Sequence, residues 1–100
     1  MAESAAPIRG VAAPGVIHNQ VDVDVSSTLI VAARAGRRTV IVINHSAIDV
    51  FLGSQGVTTL TGLLLTGIKG TGINIPTDGD IYGIAASGSA RVSYMELFGK

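Results

Sequence analysis

The chain has 100 residues, enough for a single domain that buries roughly 60–70% of its unfolded surface. Its formal net charge is zero and 14% of its residues are charged, which excludes the clustered basic excess that nucleic acid or an anionic membrane needs. Cysteine is absent, so no disulfide or thiolate zinc site can stabilise it, and no apolar run reaches the ~20 residues of a membrane-spanning helix.

Residues 1–20, "MAESAAPIRGVAAPGVIHNQ", are rich in Ala, Pro and Gly and carry no usable hydrophobic period. Pro7 and Pro14 push their neighbours toward extended backbone. The stretch does not have the basic-then-apolar layout of a secretion signal. It reads as an extended N-terminal arm, either disordered or laid along a partner, with a β-sandwich domain over 21–100. Ile8, Val11, Val16 and Ile17 are its apolar groups, too few for a core and suited to lying along a neighbouring subunit.

From Val21 the period is two. "VDVDV" places Val21, Val23 and Val25 inward and Asp22 and Asp24 outward. "TLIVAA", the basic turn "RAGRR" and "TVIVIN" follow, then the turn "NHSA" and the strand "IDVFLG". After a longer loop over 53–62 come "LLLTG" and "TGINIP". "PTDGD" is a hairpin signal, because Pro76 presets φ and Gly79 can turn left-handed; "DIYGIAA" and "ARVSYMELF" then pair across "SGS". No segment sustains a helical apolar stripe. About eight short strands predict an all-β, antiparallel, jelly-roll-like sandwich. The expected core includes Val40, Val42, Val50, Leu52, Ile73, Ile75, Ile84 and Val92. Ile41 and Ile43 are apolar too, so if both faces of that strand are covered the outer one lies against another subunit. A hydrophobic content of 47% with no membrane span points the same way.

Several side chains invite a chemical reading. His45, Ser46 and Asp49 supply the members of a nucleophilic triad, but adjacent His and Ser in a turn diverge, Asp49 points away on the next strand, and no G-x-S-x-G elbow is present. The turn is the better reading, and no catalytic residue is assigned. Asp22-x-Asp24 and Asp78-x-Asp80 lack the further oxygens a calcium ion takes, so they read as a solvated strand face and turn caps; no metal is expected. "GLLLTGIKGTG" departs from a phosphate loop where Ile68 precedes Lys69 and no helix follows, and no cofactor is expected. Arg34, Arg37 and Arg38 cluster at one turn, either as a solvated tip or as a fork for acidic groups on a neighbouring subunit.

The run "RRTVIVINHSAIDVFLGSQGVTTLTGLLL…IPTDGDIYGIAASGSARVSYMEL" resembles small β-rich virion proteins of tailed bacteriophages. The resemblance rests on Arg37 and Arg38 through Asn44, on Phe51-Leu52-Gly53, on Gly56-Val57-Thr58 with Gly62 and Leu65, and on Ile81–Ile84 and Val92–Glu96. It covers about residues 34–97, and "TGIKGTG" stands where the pattern has a Gly-Glu turn. It implies a non-enzymatic structural role: a capsid decoration (cement) protein that binds across neighbouring major capsid protein subunits. The implied protein is a homo-oligomer, with a trimer favoured, located on the virion surface after assembly in the host cytoplasm. The alternatives are a neck, tail or fibre module, and a carbohydrate- or receptor-binding module. Neither nucleic acid nor a membrane is an expected partner.

Overall fold

The computed structural model describes residues 15–99. Eight strands occur in them: β1 (Val16–Val23), β2 (Thr28–Val31), β3 (Arg37–Asn44), β4 (Val50–Gly53), β5 (Leu63–Leu65), β6 (Thr71–Ile75), β7 (Ile81–Ala85) and β8 (Ala90–Phe98). They form two four-stranded sheets in the orders β1-β8-β3-β6 and β2-β7-β4-β5. Every neighbouring pair runs antiparallel. This interleaving is a jelly roll, an all-β sandwich as the period-two alternation predicts.

The core lies between the sheets. Val23, Val40, Val42, Ala90 and Val92 face it from the first sheet, and Ile30, Val31, Val50, Leu52, Leu65, Ile81 and Ala85 from the second. Apart from Leu52 and Leu65 these are small or β-branched groups, which suits them to strands. Within the second sheet Gly83 makes room for its neighbours: a Cβ there would stand 2.7 Å from Cδ1 of Ile30 on the adjacent strand. Ile73 and Ile75 pack against the core while remaining partly exposed.

The structure corrects four expectations. β1 begins at Val16, inside the stretch read as an arm, because β8 offers its backbone a continuous partner from Leu97 to Ala90. The polar "HNQ" breaks the alternation that would have marked it. Val25 lies past the end of β1 and is exposed. Ile84 points away from the core, since Ile81, Gly83 and Ala85 are the buried positions of β7. The turns at "NHSA", "PTDGD" and "SGS" do not close hairpins. Each carries the chain from one sheet to the other, and only β4 and β5 are both consecutive and paired. Turn residues reverse a chain, but they do not choose which sheet it joins.

Candidate interaction surfaces

The basic turn is built around a buried ion cluster. Glu96 points inward from β8, where Arg37 Nη1 donates to its Oε1 at 2.9 Å, and both side chains are fully buried. Arg34 adds a fork from the rim, Nε to Oε1 at 3.0 Å and Nη2 to Oε2 at 3.4 Å. Arg37 also donates to the carbonyls of Thr77 and Ala32, each at 2.9 Å, and to that of Gly79. One guanidinium thus ties the 32–36 turn, the 76–80 loop and β8 together, using the rigid donor fork that distinguishes Arg from Lys. Burial pushes the Glu96 carboxyl up, but the hydrogen bonds and charges of Arg34 and Arg37 outweigh it and hold the group below its ordinary value.

This removes Arg37 from the set of partner contacts, because its side chain is fully buried and bonded inside the domain. Arg34 is half-exposed but engaged with Glu96. Arg38 is exposed at the register shift where β3 meets β8. Val16 and Ile17 belong to β1. Ile8 and Val11 lie outside the described residues.

Nor are the triad members brought together. His45 Nε2 lies 2.8 Å from Ser93 Oγ, whereas Asp49 accepts from the Gly67 amide at 2.7 Å. Ser46 Oγ lies 2.7 Å from Asn44 Oδ1 and accepts from the Ile48 amide at 3.1 Å. Asn44 is the organising residue there. It is fully buried, and its amide group donates to the carbonyl of Ile48 at 2.8 Å and reaches those of Thr66 and Leu65 at 3.2 and 3.4 Å. In the sequence it stands only at the junction of "TVIVIN" and the turn "NHSA". One carboxylate of each acidic pair is engaged: Asp22 is held by Arg91 at 2.6 Å, and Asp80 accepts from the Ala33 amide at 2.6 Å. Among the described residues, no group of three or more His, Cys, Asp or Glu side chains could hold a metal ion.

What remains is surface. On the second sheet, Phe51 pairs with Leu64 and Ile84, and Tyr82 with Leu29. These five alternate with the buried positions of their strands and so line the outer face. Leu29 and Leu64 are 42% and 49% exposed. On the first sheet, Ser93 and Met95 of β8 form the floor of a groove of about 510 Å³, with His18 and Gln20 on one wall and Ile41 and Ile43 on the other. The molecule is therefore a jelly-roll sandwich with apolar groups on both outer faces. No protein-family model, curated protein or solved structure matches the chain.

Proposed function

We propose that the protein is a bacteriophage virion component, a head decoration (cement) protein that binds across neighbouring major capsid protein subunits. The observation that carries this reading is the outer face of the second sheet. Leu29, Tyr82, Ile84, Phe51 and Leu64 form a continuous apolar row with no charged side chain among them. A face of this kind gains free energy when a shell protein covers it, at about 25 cal/mol per Å² of apolar area. Added interface between capsid subunits would resist the pressure of packaged DNA. The jelly roll supports the reading, since the fold recurs in viral capsid proteins, as does the resemblance of residues 34–97 to phage virion proteins.

The test is to locate the protein on intact particles by electron microscopy. A copy number that scales with the capsid lattice is expected. A single ring or fibre position would favour the neck, tail or fibre reading instead. The groove beside His18 and Ser93 is the feature that favours a receptor-binding role. Glycan or receptor capture that saturates this groove, with no association with the shell, would replace the cement reading.

A further inference from the structure

We propose that β1 is a self-association edge: two copies pair their β1 strands antiparallel about a two-fold axis at Gln20, forming one continuous eight-stranded sheet. The inference is independent of the virion reading, because it concerns the purified protein alone.

The four sheet edges differ in kind. β2 has four residues and a register shift, β5 has three residues, and β6 has five residues, includes Gly72 and is followed by Pro76. Short length, bulges and proline are the devices that keep edges from pairing. β1 has none of them. It runs eight residues in unbroken register with β8 and contains no Lys, Arg or Pro, and no described strand pairs with its other side. Every second N–H and C=O of β1 points away from β8 and is open to a further strand, apart from the Gln20 amide, which donates to Asn19 Oδ1 at 2.8 Å, an exposed local bond that a pairing strand has to displace.

The strand is also self-complementary. Two sandwiches on the same side of a joined sheet require partners whose positions sum to an even number, so that like faces meet. With Gln20 opposite its own copy, His18 stands opposite Asp22 of the second copy, twice by symmetry. On the inner face, Ile17 stands opposite Val23, again twice, and Asn19 opposite Val21. Shifting the axis to Asn19 sets Val16 against Asp22, and shifting it to Val21 sets Asn19 against Val23. Within β1, the Gln20 register is the one that sets imidazole opposite carboxylate while also setting Ile17 against Val23. Arg91 fixes the row, donating to Asp22 Oδ1 at 2.6 Å, to Asp22 Oδ2 at 3.2 Å and to Gln20 Oε1 at 3.0 Å. This two-fold pairing replaces, for the free protein, the trimer that the phage resemblance implies.

The absence of cysteine makes the test clean. Directly opposed residues in an antiparallel pair have Cα atoms about 4.5–5.5 Å apart, within disulfide range. Full-length Gln20→Cys should oxidise to a covalent dimer, while Ser87→Cys, exposed in the β7–β8 turn, should not. Sedimentation should show a dimer of the unmodified chain. His18→Asp, which opposes two like charges twice, should weaken it by several-fold to about tenfold, and His18→Lys should not weaken it. A monomer at high concentration, a trimer, cross-linking at Ser87→Cys as readily as at Gln20→Cys, or a dimer indifferent to His18→Asp would each overturn the proposal.

Discussion

Oε1 of Glu96 receives Nη1 of Arg37 at 2.9 Å and Nε of Arg34 at 3.0 Å, so one buried carboxylate oxygen joins the β2–β3 turn and the start of β3 to the last strand. Removing Glu96 strands the buried Arg37 guanidinium. Glu96→Ala should cost about 3–5 kcal/mol in chemical denaturation, as breaking a buried pair from one side does. Arg34→Ala should cost much less, because Arg34 is half-exposed and Arg37 remains in place.

The same carboxylate sets a pH dependence. Its folded pKa lies below the ordinary value of 4.5, so in that window the unfolded chain binds the extra proton. The contribution is fully present above the ordinary value and is lost as pH falls through the folded one. Thermal unfolding followed from pH 7 downward should show stability falling below about pH 4.5, with a shallower fall in Glu96→Gln. Parallel profiles for the two proteins would contradict this.

Asn44 should matter more than the showier residues beside it. Asn44→Ala leaves the carbonyls of Ile48, Leu65 and Thr66 without their buried donor and should cost about 1–3 kcal/mol. His45→Ala, at an exposed position, should cost about 1 kcal/mol or less. Hydrolysis of an activated ester should not distinguish Ser46→Ala from the unmodified chain, because Ser46 and His45 take separate partners.

The β5–β6 loop offers a packing test. A Cβ on Gly67 would sit 2.6–2.7 Å from backbone atoms of Ala47, Ile48 and Asp49. Gly67→Ala should destabilise by about 1–3 kcal/mol in urea titration. Gly56→Ala, with open space around its position, should be near neutral.

Alternation made most of the strands legible in the sequence. "TVIVIN" and "DIYGIAA" have the right length and period, and the turn residues between runs mark the breaks. Sheet membership was not legible, because a hairpin and a crossover use the same Gly, Pro and Asp chemistry. Arg37 could not be told from Arg34 and Arg38, since its burial depends on Glu96, 59 positions away. Ile84 was misplaced because Gly83, which carries no hydrophobic signal, occupies the inward position. β1 was cut short because its polar centre takes its structure from the edge of β8, a tertiary cause that no local pattern reports. The apolar outer faces were legible only as an excess. That excess was seen in the composition and in the ambiguity of Ile41 and Ile43, whereas the row of Leu29, Tyr82, Ile84, Phe51 and Leu64 needs the register to assemble.

The cement reading is tested most directly on that row. Leu29→Lys with Leu64→Lys alters two exposed positions, so the fold should survive, as circular dichroism can verify. The measurement is binding of this double variant to capsids stripped of the protein, beside the unmodified chain. The account predicts that the unmodified chain rebinds and makes the heads more resistant to heat, while the variant does neither. Undiminished rebinding by the folded variant would contradict it.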